Sequence, residues 1–178
     1  MKRIMKNQAG FTLIEMLIVV IILGTLAMII IPQVSVSTED AKLSALRTNL
    51  STVRNALELY YHQHDQTYPG AVKTDGTGVA TVAADLPAAL LDQLVKFTEG
   101  SGKADGDYTA LTAPIYGPYL KTVKLPENPY NNKDTATCDI AVTDVTTRAA
   151  TPLDLTGWKY YVNTGVLIAN DSAANAAY

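Results

Sequence analysis

Gly10-Phe11-Thr12-Leu13-Ile14-Glu15-Met16-Leu17-Ile18 opens an apolar run that continues to Ile31 and meets Pro32. Between Phe11 and Ile31 the only ionisable side chain is Glu15, and the leader before it, residues 1–10, carries Lys2, Arg3 and Lys6. A helix over residues 11–31 measures roughly 31 Å at ~1.5 Å per residue, enough to cross a bilayer core. One acid near the start of such a segment is anomalous. A carboxylate in hydrocarbon is costly, so an intramembrane acid points to a partner and a function.

With those residues in view, the stretch resembles the type III signal of type IV pilins and type II secretion pseudopilins. In that family a short basic leader ends in Gly and a prepilin peptidase cuts before Phe. The new Phe amine is N-methylated, and a Glu sits fifth from the cut. Gly10, Phe11 and Glu15 match position for position, and Gly24 and Pro32 fall where family members commonly interrupt this helix. The resemblance implies cleavage between Gly10 and Phe11, methylation of Phe11 and an assembly role for Glu15. It covers about the first thirty residues, so the rest of the chain is read on its own residues.

At 178 residues the chain supports one modest globular domain beside its apolar segment. The net charge of −3 hides an asymmetry: without the leader, 11 basic residues face 17 acidic ones, giving −6. Basic residues before the span, and no charge but Glu15 until Glu39, place the N-terminus in the cytoplasm. The expectation is a single pass through the inner membrane, with the head periplasmic or extracellular in the assembled filament. An acidic body argues against nucleic acid as a partner, because phosphate neutralisation needs clustered Lys and Arg. Cys138 is alone, which excludes the C-terminal cystine of many type IV pilins and tilts the reading to pseudopilins. A cleaved secretory signal would have a shorter apolar core and a small-x-small site. A plain anchor would leave Glu15 unexplained.

Past Pro32 the pattern is helical again, so the helix continues through it with a kink. Leu43, Leu46, Leu50, Val53, Leu57 and Tyr60 recur at spacings of three and four, a narrow apolar seam along one face. Glu39 and Asp40 lie in its first turns, and the helix should end near His64-Asp65-Gln66 before Tyr68-Pro69-Gly70. A coiled coil is the alternative use of this seam; packing on the chain's own domain fits better, because charges at the flanking positions are few. Residues 70–85 read as a loop. Asp85-Leu86-Pro87 opens a helix expected to reach about Thr98, stopped by Gly100, and residues 101–107 read as a polar loop. Gly117-Pro118-Tyr119-Leu120 and Pro126-Glu127-Asn128-Pro129 are turn-dense and resemble the middle of some pseudopilin-like proteins. A strand is expected from Asp139 to Val145, and a hairpin from Trp158–Val162 and Gly165–Ala169. The tail from Asn170 reads as loose.

No catalytic constellation is present in the sequence: no phosphate loop, no G-x-S-x-G and no H-E-x-x-H. His62 and His64, two apart on a helix, diverge by about 200° and make a poor metal pair. Asp75-Gly76 and Asp105-Gly106-Asp107 lack the ligand ladder of an EF-hand loop. Resemblance to major pseudopilins implies calcium bound by C-terminal aspartates; Asp134, Asp139, Asp144, Asp154 and Asp171 are the candidates, and no spacing singles out a set. Cys138 reads as a small residue near a strand.

The reading is an α+β, pilin-like fold: a long N-terminal helix, half transmembrane and half amphipathic, on a small antiparallel β-sheet domain. Its parts are a leader over residues 1–10, a transmembrane and polymerisation helix over 11–32, an amphipathic half over 33–66 and a head over 67–178. The function implied is a structural, non-enzymatic subunit of a pilus-like filament, the major pseudopilin of a type II secretion system. The alternatives are a type IV pilus subunit for adhesion, motility or DNA uptake, and a membrane-tethered binding domain that does not polymerise. Expected partners are prepilin peptidase, other copies of the chain, an inner-membrane assembly platform and membrane lipid before assembly.

Overall fold

The computed structural model describes residues 11–80 and 85–178; for residues 29–36 only the backbone is described. The chain divides between Ala41 and Lys42 into two compact units. One helix, α1 (Leu13–Gln63), supplies both. Its backbone stays helical through Gly24 and Pro32, in keeping with a helix that continues past the proline. The α+β expectation holds, with two small sheets beside the helix.

In the second unit the seam is buried as its spacing requires. Leu46, Leu50, Val53, Leu57 and Tyr60 are all buried, and Leu43 is half-buried. Leu46, Leu50, Val53 and Leu57 join Leu86, Leu90 and Leu94 of α2 (Asp85–Val95) with Trp158, Tyr160 and Leu167 in one core. Each fully buried Leu or Val contributes on the order of 1.5–3 kcal/mol. The helix terminates where Asp65 and Gln66 turn left-handed, with φ of 50° and 59°, next to the expected end.

The first sheet holds β1 (Phe97–Glu99), β2 (Ala104–Asp105) and β3 (Ile115–Tyr116), antiparallel in the order β2-β1-β3. This corrects the expected extent of α2, which stops at Val95. Phe97, Thr98 and Glu99 pair with strands on both sides instead of extending the helix, and Gly100 sits in the turn after β1. The amides of Tyr119 and Leu120 both donate to the Leu94 carbonyl at 2.9 Å, satisfying the helix end. Gln93, fully buried, accepts from Gly70 N at 2.7 Å and donates to the carbonyls of Val72 and Gly102. One amide thus pins the 70s loop and the turn after β1 to α2.

The second sheet holds β4 (Ala136–Asp139), β5 (Trp158–Tyr161) and β6 (Val166–Ala169). The expected hairpin is β5–β6, antiparallel with Trp158 opposite Ala169. Its turn needs glycine at 165: φ is +68°, and a Cβ there would lie 2.2 Å from the Tyr68 ring. β4 joins β5 in parallel, so this sheet is mixed; the long connection of residues 140–157 permits that arrangement. The strand expected over residues 139–145 lies earlier, at 136–139, because the Asp139 carboxylate turns back to accept from Ala141 N at 2.8 Å and breaks the ladder. β5 is buried along its whole length, Lys159 included, because both its faces are covered. Trp158 and Tyr160 face the main core, while Tyr161 packs with Ile168 and Ala176 in a second cluster.

The tail is not loose. Residues Asn175–Ala177 form a 3-10 turn, Ala176 fits beneath Tyr161 and Ile168, and Asn175 donates to Asp171 at 2.6 Å. Asn128, from the Pro-Glu-Asn-Pro turn, is also fully buried and donates to Gly157 O and Asp171 Oδ1 while accepting from Tyr130 N. Gly157 itself admits no side chain, since a Cβ would stand 2.1 Å from Lys133 O.

His64, just past α1, is 2% exposed, stacked on Tyr60 at 3.7 Å between ring centroids and edged by Tyr116 and Tyr119. Its Nδ1 lies 2.9 Å from the Tyr60 carbonyl, which can only accept, so Nδ1 carries the proton in the neutral ring and Nε2 is left without a partner. Burial holds this imidazole below the ordinary histidine range, against the opposing pull of the Tyr60 and Glu99 backbones. The unfolded chain therefore binds the extra proton first, so this contribution to stability is present above about pH 6.5 and is lost as pH falls. Thermal melts should show a steeper loss of stability from pH 6.5 to 5 in the wild type than in His64→Phe, by at most ~1.4 kcal/mol per pH unit. Parallel slopes would show that His64 titrates as in the unfolded chain.

Candidate functional site

The first turn of α1 is closed by its own side chains. Thr12 precedes the helix, and its hydroxyl accepts from Glu15 N at 3.3 Å. Glu15 reaches back, its Oε2 accepting from Thr12 N and from Thr12 Oγ1, both at 2.7 Å. This is a reciprocal capping box, which satisfies backbone donors that a helix start otherwise leaves open. It fixes the Glu15 carboxylate at the very start of the helix, within one turn of Phe11. Phe11 is 80% exposed, and the apolar residues from Leu13 to Met28 are exposed all round the helix. A helix apolar on every face has no surface suited to water, so its partners are other apolar surfaces.

Thr12 was not singled out from the sequence; the T-x-x-E spacing that reveals it is present, ahead of an apolar run. The expected cleavage residue Gly10 and the leader cations lie outside the described residues. Phe11 N is here a peptide nitrogen, and only cleavage would turn it into an amine. At Gly24 a Cβ would meet nothing within 4 Å, and the side chain of Pro32 lies outside the described residues. Among the described residues no helix is long and apolar enough to cross a membrane; the apolar run continues past Met28 into positions whose side chains are not described.

The aspartates considered for calcium are not brought together. Asp134 pairs with Lys124 at 2.8 Å, and that ammonium holds its carboxyl below the usual range. Asp139 accepts from Ala141 N, and Asp144 from the amide and hydroxyl of Thr146. Asp154 accepts from the Thr151 hydroxyl, and Asp171 from Asn128 and Asn175. Among the described residues no three His, Cys, Asp or Glu side chains are placed to hold a metal ion. His62 is exposed and His64 buried, so they do not converge. Cys138 lies in β4, half-buried, and burial pushes its thiol up to about 12, which leaves it protonated and unreactive at neutral pH.

The prokaryotic N-terminal methylation motif matches residues 5–31, a span that contains Gly10, Phe11, Thr12 and Glu15. The chain is 40% identical over 55 residues to type II secretion system core protein G of Pseudomonas aeruginosa, covering 31% of this chain and 39% of that protein. It is 39% identical over 56 residues to the core protein G of Vibrio cholerae, covering 32% and 38%. To a ComG operon protein 3 homolog of Bacillus licheniformis it is 26% identical over 99 residues, covering 56% of this chain and 99% of that protein. The chain thus spans about two-fifths of the length of the core G proteins it matches. No solved structure matches it. The capped first turn of α1 thus lies within a prokaryotic N-terminal methylation motif, on a chain similar to the core G proteins of type II secretion.

Proposed function

We propose that this chain is a structural subunit of a pilus-like filament, cleaved by prepilin peptidase between Gly10 and Phe11 and assembled through its N-terminal helix, as the major pseudopilin of a type II secretion system. The observation that carries this is the methylation motif over residues 5–31, in which the sole acid of the apolar run caps the first helical turn. Residues 1–10 are the leader. Residues 11–32 hold the subunit in the inner membrane, with the N-terminus cytoplasmic, until they pack in the filament. Residues 33–66 tie that segment to the head, residues 67–178, which is periplasmic or extracellular once assembled. The chain is a building block and carries out no reaction of its own. Its partners are the peptidase, the assembly platform, lipid and other copies of itself.

A small residue before the scissile bond is what a surface-bound peptidase can seat, and Gly10 offers no side chain to clash. Intact-mass measurement of the protein from membranes containing the peptidase should give a chain starting at Phe11 and bearing one methyl group. Gly10→Val should leave the full-length precursor. Mature protein starting elsewhere would overturn this processing scheme. A second reading, a counterpart of the ComG protein outside secretion, is favoured by the nearly end-to-end span of that similarity.

A further inference from the structure

Beside its buried seam, α1 carries Arg47, Ser51, Arg54 and Asn55, spaced by four, three and one residues, which places all four on one face over about two turns. With Leu50 and Tyr178 they line a cavity of about 400 Å³. Arg54 is half-buried and anchored: its Nε and Nη2 donate to Leu167 O at 3.1 and 2.7 Å, and its Nη1 donates to Tyr178 O at 2.7 Å. A guanidinium has five N–H donors, so two remain on Arg54 after these three bonds. Arg47 is exposed, its guanidinium carbon 4.6 Å from the centre of the Tyr178 ring. Among the described residues the side chains of Arg47, Ser51 and Asn55 make no hydrogen bond and no ion pair. The cavity therefore gathers unspent N–H and O–H donors, and none of its lining side chains is acidic.

The charge around the cavity has one sign. Burial holds Arg54 below the ordinary arginine range, and the neighbouring charge that adds to this is a third cation, Arg148. Glu58, the next acid along α1, bonds to the Tyr68 hydroxyl at 3.2 Å and does not line the cavity. A main-chain carboxylate at Tyr178 would be matched by Arg54 and would leave Arg47 and Arg148 uncompensated. On a chain whose acids outnumber its bases by 17 to 14, this is a local reversal of sign. Like charges gathered around open donors repel one another, and an anion set among them removes that repulsion.

We infer that this cavity is a carboxylate-binding site, in which the Arg47 guanidinium takes the two oxygens, Ser51 and Asn55 donate beside it, and Arg54 supplies a second, fixed charge. The planar fork of a guanidinium matches a carboxylate bidentately, which a single ammonium does not. A carboxylate has two sources here: a small organic acid in solution, or an acidic side chain of a second copy, whose surface carries acids in excess. The site itself stands apart from the filament reading; its use between copies rests on that reading.

Citrate is titrated into the full chain in detergent at constant ionic strength, and binding is read by calorimetry. The wild type should bind saturably. Arg47→Gln should weaken binding at least ~10-fold, and so should Ser51→Asp, which sets a carboxylate in the cavity from within. Both positions are exposed, so the melting temperatures should stay at the wild-type value. Lys121→Gln removes an exposed cation outside the cavity and should leave binding unchanged. Absence of saturable binding, or equal losses in Lys121→Gln and Arg47→Gln, overturns the site. Sedimentation of the same preparations separates the sources. Self-association that falls with citrate and with Arg47→Gln supports the site and assigns it to a neighbour's side chain. Self-association indifferent to both, with citrate binding still dependent on Arg47, supports the site and assigns it to a free acid. Wild-type protein that does not self-associate counts against the filament reading, while the calorimetry still decides the site.

Discussion

Glu15→Gln is expected to abolish filaments or reduce them sharply while leaving cleavage at Gly10 and the start of α1 intact. The substitution separates two roles that one carboxylate combines. As a cap, the side chain needs only an oxygen to accept from Thr12, and glutamine supplies one. As a charge, it needs a counter-ion, because a lone carboxylate in an apolar filament core is strongly unfavourable. On the proposed processing, the amine that cleavage would create on Phe11 is the proposed counter-ion, cationic with or without its methyl group. Two bonds from Thr12 fall on Oε2, and among the described residues none is made to Oε1, which is the oxygen open to the amine of a neighbouring subunit. The proposed pair would act as a register device, since only one axial offset would bring each Glu15 beside an amine. Glu15→Leu should lose filaments as well, with insertion preserved by the more apolar span. Normal filaments from Glu15→Gln, in a strain without a wild-type copy, would show that charge at this position does not set assembly.

Leu50→Glu should unfold the head or nearly so. Leu50 is 1% exposed at the middle of the α1 seam. The change removes ~1.5–3 kcal/mol of apolar burial and adds the penalty of a buried charge without a partner. Together these approach the ~5–15 kcal/mol that stabilises a typical domain. Thr48→Glu, on the exposed face of the same helix, should shift stability by no more than ~0.5 kcal/mol, since among the described residues its hydroxyl bonds to Ser44 O within the helix. Melting of the fragment from about residue 35 onward checks both. Equal midpoints would mean that the seam does not pack against the head.

What could be read from residue order was whatever repeats or is spaced locally. The seam from Leu43 to Tyr60 declares itself by its period, the β5–β6 hairpin by two apolar runs around Asn163-Thr164, and the processing motif by fixed offsets among Gly10, Phe11 and Glu15. What escaped depends on distant partners. Phe97-Thr98-Glu99 continues the apolar pattern of α2 and becomes a strand only because residues 104–105 and 115–116 pair with it. The parallel placement of β4 depends on a strand some twenty residues downstream. Ala176 sits in a tail of small residues and is buried because Tyr161 and Ile168 leave a space of its size. The clamps Gln93, Asn128 and Asn170 are polar residues that pattern reading assigns to the surface, yet each is buried to satisfy loop backbone. In the candidate site the signal for Thr12 is local and plain: its T-x-x-E spacing to Glu15 marks a capping box, so one carboxylate serves both as cap and as charge.

The most direct test of the account is electron microscopy of the purified mature protein, from Phe11 with its N-terminal helix intact, as detergent is withdrawn. The account predicts helical filaments from the cleaved wild type and none from the Gly10→Val precursor or from Glu15→Gln. Wild-type protein that stays monodisperse, with its methylated Phe11 verified by mass, would contradict it.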